Sequence, residues 1–88
     1  MIDTIEYKRE DVDYLEQFEN ILKKINPEIK IIEGLGFPYR RSFGGEGVYI
    51  LFKGEIELPH AKITVLLEGD DLKVSDLKAN LEKHLNIK

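Results

Sequence analysis

Two adjacent arginines and three aromatic residues lie close together in a glycine-rich stretch in the middle of the chain, residues 34–47. Arginine side chains bind phosphate or carboxylate groups, and aromatic rings stack on nucleic-acid bases. Glycines allow backbone N–H groups to approach an anion. We interpret residues 34–47 as a loop with the candidate ligand-binding residues Phe37, Tyr39, Arg40, Arg41 and Phe43. The alternative is a plain hairpin connection whose aromatic side chains pack at the edge of the core.

Other residue types that carry chemistry are few and poorly spaced. His60 and His84 are the only histidines, and neither is followed by a second candidate ligand three or four residues on. Glu68, Asp70 and Asp71 form a small acidic cluster, but their spacing matches no calcium-binding loop. The chain has no cysteine, which excludes a thiolate nucleophile, a disulfide and a cysteine metal site. We therefore predict that the protein is not an enzyme and needs no metal or cofactor.

Length and charge narrow the remaining function classes. The 88 residues predict one domain spanning positions 1–88, and 42% hydrophobic with 34% charged residues is typical of a globular protein. The net charge is −4, and no segment concentrates the basic residues that generic nucleic-acid binding requires. No run approaches the roughly 18 consecutive apolar residues of a membrane helix. The first ten residues hold no apolar signal-peptide run, so we expect a cytoplasmic protein that does not bind membranes.

Two helices are predicted at opposite ends of the chain. The first begins after Asp11 or Asp13 as N-cap and ends at Asn26 before Pro27. It carries an apolar stripe at helical spacing, formed by Tyr14, Leu15, Phe18, Ile21, Leu22 and Ile25. The second helix is predicted with Ser75 as N-cap and an apolar stripe formed by Val74, Leu77, Leu81 and Leu85.

The strands are predicted between these helices. Residues 29–32, 48–52 and 63–67 are rich in β-branched and aromatic side chains, and residues 2–7 suggest a short extra strand. Short connections favour an antiparallel meander, with both helices on one face. The predicted fold is thus α+β, with a three- to four-stranded antiparallel sheet in the order α-β-β-β-α.

This order resembles the topology of double-stranded-RNA-binding domains. In that family the last helix begins with lysines that bind phosphates. Here the corresponding residues 70–76 read DDLKVSD, which is predominantly acidic. The resemblance therefore concerns the order of elements and not the residues that bind RNA.

The strands also carry apolar side chains that point away from the predicted helices. Tyr49, Leu51, Thr64 and Leu66 fall on this second face, and an apolar sheet face needs a cover. We predict that a second copy of the chain or a partner protein covers it. The alternative is a cover from the extra strand, residues 34–47 or one helix.

Two hypotheses of function follow. The first is a small binding or adaptor module that acts through protein–protein contacts, as a homodimer or with a partner protein. The second is a nucleic-acid-binding accessory protein that uses the arginines and aromatic residues of segment 34–47.

Overall fold

The computed structural model describes residues 1–10, 13–34 and 40–86, which form five strands and two helices. The predicted α+β class is confirmed. The predicted strand number and order are wrong, because the order is β-α-β-β-β-β-α. In chain order the elements are β1 (Ile2–Arg9), α1 (Tyr14–Ile25), β2 (Lys30–Gly34), β3 (Arg40–Gly45), β4 (Val48–Glu57), β5 (His60–Gly69) and α2 (Asp71–Leu85).

All five strands form one antiparallel sheet in the order β1-β5-β4-β3-β2. Strands β2 to β5 are sequential neighbours, which confirms the predicted meander. The predicted extra strand is β1, and it is longer than expected. It pairs with β5 over its whole length, from Ile2 opposite Glu68 to Arg9 opposite Ala61. The chain therefore crosses the sheet through α1 before the meander begins.

Strand β3 occupies part of the segment that we predicted to be a loop. Residues 40–45 pair with β4, and the connection between them is a tight turn at Glu46 and Gly47. Both turn residues have positive φ, 55° and 80°, as the two-residue hairpin turn of type I′ requires. Gly44 and Gly45 are thus strand residues, and the loop interpretation of positions 40–45 is wrong.

The core lies between the two helices and one face of the sheet, here called the inner face. Ile50, Phe52, Ile63, Val65 and Leu67 project from this face and are fully buried. Strand residues alternate between faces, so each buried position is flanked by positions on the opposite side. We call that opposite side the outer face.

Aromatic packing fixes α1 against the sheet. The ring of Phe18 lies 4.8 Å from that of Phe52 and 5.7 Å from that of Phe43, measured between centroids. Tyr14 packs over Gly54, where an added Cβ atom would lie 2.6 Å from the Tyr14 ring. Gly54 therefore allows a close approach of helix to strand, and a larger residue there would displace the start of α1.

The predicted apolar stripes of both helices are confirmed by burial, whereas the predicted caps are only partly correct. Asp13 is the N-cap of α1, but its carboxylate accepts a hydrogen bond from Gln17 instead of capping a backbone N–H. The prediction of Ser75 as N-cap of α2 is wrong. Asp70 holds that position, and its Oδ1 accepts a hydrogen bond from the Leu72 N–H at 3.1 Å. Within the described residues, no helix is long and apolar enough to cross a membrane.

Candidate functional site

A row of small and aliphatic side chains crosses the middle of the outer face. The register places Thr4, Leu66, Leu51 and Ser42 side by side on β1, β5, β4 and β3. We call these four residues the central row. Leu51 and Leu66 are only half-buried, although β4 and β5 are both interior strands of the sheet. The two helices that shield the inner face provide no cover here.

Tyr49 borders the central row on β4 and remains 39% exposed. Its hydroxyl group lies 3.1 Å from the Oγ atom of Ser42, within hydrogen-bonding distance. This contact joins β3 to β4 and restricts the orientation of the ring. A rigid, half-exposed tyrosine beside leucines is a common component of protein-binding surfaces.

The predicted interface residues therefore share one surface. Tyr49, Leu51, Thr64 and Leu66 all lie on the outer face, in adjacent strands. The register adds Thr4 and Ser42, which the sequence analysis missed because β1 was treated as optional and β3 as a loop. Alternation along residues 40–45 was the signal available for Ser42, but the glycines obscured it.

Charged side chains flank the central row, and their signs are distributed unevenly. The neighbouring row on the outer face crosses the same four strands, β1, β5, β4 and β3. It consists of Glu6, Thr64, Lys53 and Arg40. We call these four residues the charged row; it is acidic at β1 and basic at β4 and β3. In the next row, Lys62 lies opposite Glu55, and Glu55 also pairs with Lys53 at 3.1 Å.

Two exposed isoleucines extend the apolar surface toward the edges of the sheet. Ile2 on β1 is 65% exposed and Ile32 on β2 is 64% exposed. The Ile32 side chain lies over Gly44, where an added Cβ atom would meet it at 2.4 Å. The outer face thus has apolar side chains on β1, β2, β4 and β5.

The structure separates the predicted ligand-binding residues. Arg40 is exposed on the outer face beside Lys53, whereas Arg41 points to the inner side and forms an ion pair with Glu19 of α1. Phe43 is buried in the core. This separation follows from the alternation of side chains along β3. Phe37 and Tyr39 lie outside the described residues, so the arrangement of the full set stays a prediction.

Each of the two histidines contacts a different group in the described part of the chain. His60 lies 3.6 Å from a carboxylate oxygen of Glu10, and His84 Nδ1 lies 2.8 Å from the backbone oxygen of Asn80. No three metal-binding side chains converge among residues 1–10, 13–34 and 40–86.

Tyr7 and Asp3, two of the described residues, have shifted pKa values, and both point away from the outer face. Burial raises the pKa of Tyr7 well above its ordinary value, and the nearby Arg9 opposes this shift weakly. The hydrogen bond from Lys78, at 3.0 Å, lowers the pKa of Asp3, and the Thr4 N–H adds to this effect. The Asp3–Lys78 pair links β1 to α2.

An open cleft of about 240 Å³ lies where the end of α1, the β3–β4 turn and α2 meet. Its volume falls below the roughly 300–1,000 Å³ of typical ligand pockets. Side chains of both charges line the cleft, Lys73 on one hand and Asp76 and Glu46 on the other. The cleft is therefore a weaker candidate than the outer face.

Comparisons with known proteins add little. No family model and no curated protein matches the chain. Among solved structures, the crystal structure of Ara h 8.0201 is similar at 17% sequence identity, with a TM-score of 0.40. The alignment covers 99% of this chain and 95% of that chain. A likeness at this level carries no information about binding or activity.

Proposed function

We propose that this chain is a non-enzymatic binding module that contacts another protein through the outer face of its sheet. The observation that carries the proposal is the central row, in which Leu51 and Leu66 remain half-exposed on two interior strands. Burying apolar surface yields about 25 cal/mol per Å². A contiguous apolar patch at the centre of a sheet therefore favours the binding of another molecule that buries it.

The surroundings of the row favour a protein over other ligands. Aliphatic and hydroxyl groups lie at the centre and charges of both signs lie at the margin, which is the pattern of a protein interface. A nucleic acid would require a surplus of positive charge, whereas Glu6 and Glu55 accompany Arg40 and Lys53 on this face.

The proposal is tested by cross-linking in the source cells, followed by affinity purification of the tagged chain and mass spectrometry. We expect a stoichiometric protein adduct, either a second copy or another protein. Leu66→Lys should abolish the adduct because it places a charge in the central row. Leu72→Lys is the matched control, since Leu72 is a 78% exposed leucine on α2.

Circular dichroism shows whether each variant keeps its fold. An adduct that persists unchanged in folded Leu66→Lys would contradict the proposal. So would co-purification of an oligonucleotide that Arg40→Ala removes, because that result would favour the nucleic-acid hypothesis.

A further inference from the structure

We propose that the outer face binds a second copy of this chain, with the two sheets packed face to face. This inference rests on the proposed function, since it uses the same surface and names its occupant. The two-fold axis runs parallel to the strands. It lies midway between the two facing sheets, above the gap between β4 and β5. The strand order β1-β5-β4-β3 then places β4 on the partner's β5, and β3 on the partner's β1.

This axis makes the central row complementary to itself. Leu51 faces the partner's Leu66, and Ser42 faces the partner's Thr4. Each leucine is thereby buried against a leucine. Ser42 is already buried within the chain, with its hydroxyl group beside that of Tyr49, so it adds a small polar group and little new buried area. Aligned sheets pack about 10 Å apart, a distance that leucine side chains from both faces can fill.

The charged row supplies the argument for this particular axis. Glu6 at the β1 end faces the partner's Arg40, and the symmetry repeats the pair on the other side. One row further, Glu55 faces the partner's Lys62. Opposite charges at the margin of an interface fix its orientation more than its affinity.

Two other two-fold axes, parallel to the sheets and midway between them, lack this complementarity. An axis along β4 would place Lys53 directly against the partner's Lys53. An axis along the central row would place Arg40 against the partner's Gly44 and Glu6 against the partner's Ile2. Of these three axes, only the one between β4 and β5 satisfies the apolar and the charged row together.

The area of the outer face that the dimer buries limits its expected affinity. The axis superimposes four strands of each sheet, β1, β5, β4 and β3. Four strands about 4.8 Å apart, over rows spanning about 20 Å, give on the order of 400 Å² per chain. Standard interfaces bury about 800 Å² per partner. The dimer should therefore dissociate reversibly, and it must be measured over a range from micromolar to millimolar chain.

Sedimentation velocity on the purified full chain tests whether the dimer exists. We expect a concentration-dependent dimer for the wild type, a Kd at least roughly 100-fold higher for Leu66→Lys, and an unchanged Kd for Leu72→Lys. A wild-type chain that remains monomeric at 1 mM would overturn the inference. If that monomer still cross-links to another protein through Leu66, the proposed function stands.

A charge reversal tests the orientation and does not depend on one variant folding well. Glu6→Arg and Arg40→Glu should each weaken self-association, because each places like charges in contact twice per dimer. An equimolar mixture of the two variants should form a heterodimer, since both contacts then join opposite charges. Native mass spectrometry resolves the heterodimer by mass. Absence of a preference for the heterodimer, or unchanged self-association of both variants, would overturn the proposed axis.

Discussion

The phenol of Tyr7 lies on the inner face of β1 and is only 8% exposed. Its hydroxyl group is buried and has no hydrogen-bond partner among the described residues. The guanidinium carbon of Arg9 lies 4.8 Å from the ring centroid, and Arg9 also donates a hydrogen bond to the Leu85 carbonyl. Arg9 thus joins β1 to the end of α2, while Tyr7 contributes its ring to the core and leaves its hydroxyl group without compensation.

We expect Tyr7→Phe to leave the stability unchanged at pH 7, or to raise the free energy of unfolding by about 1 kcal/mol or less. Burial raises the pKa of Tyr7, so the folded chain retains the phenol proton above pH 10, where the unfolded chain loses it. Stability conferred by the neutral phenol is therefore present below about pH 10 and is lost as the pH rises further.

Urea unfolding at pH 7 and pH 11 measures both effects. The wild type should lose more stability between these values than Tyr7→Phe, because the other tyrosines are common to both proteins. An equal loss in the two proteins would show that the Tyr7 hydroxyl group is not shielded from water.

At the level of elements, α2 depends on how its first turn is capped. Asp70→Ala should lower the free energy of unfolding by about 1 kcal/mol, because the Leu72 N–H loses its acceptor and the helix N-terminus loses an adjacent negative charge. Ser75→Ala is the matched control: Ser75 is exposed within the helix and should change stability by less than about 0.5 kcal/mol. Thermal unfolding of both variants ranks the two positions; a larger loss at Ser75 would contradict the observed cap.

Some helices and strands could be predicted from the sequence and others could not. Hydrophobic periodicity identified α1, the apolar stripe of α2 and the centres of β4 and β5, because their buried positions repeat without interruption. Strand β3 was missed because Gly44 and Gly45 carry no side chain that shows the alternation. The start of α2 was placed too late, since Asp70 and Ser75 are both residue types that cap helices.

The residues of the candidate site also divide into those that the sequence predicts and those that it does not. Alternation within β4 and β5 was sufficient to place Tyr49, Leu51, Thr64 and Leu66 on one face. The separation of Arg40 from Arg41 was not predictable, because it depends on β3 being a strand. The complementary positions of Glu6 and Arg40 depend on the pairing of β1 with β5, which joins distant parts of the chain and leaves no local signal.

For the whole molecule, the order of the strands predicts an uneven distribution of local stability. β5 has a neighbouring strand on each side, whereas β2 is a five-residue edge strand with one neighbour and with exposed Ile31 and Ile32. We expect the amides of β5 to exchange hydrogen slowest, at the rate of global unfolding, and those of β2 to exchange much faster. Hydrogen exchange followed by NMR measures both strands at once. Equal protection in β2 and β5 would show that the sheet opens only as a unit.

The pairing of β1 with β5 also has a consequence for synthesis. Of the five strands, β1 leaves the ribosome first, and β5, its neighbour in the sheet, leaves last. At about 5–20 residues per second, Ile5 waits roughly 3–12 seconds for Val65 to emerge. During that interval the apolar side of the nascent β1 has no sheet to join, so we expect ribosome-associated chaperones to hold the chain until β5 has cleared the exit tunnel.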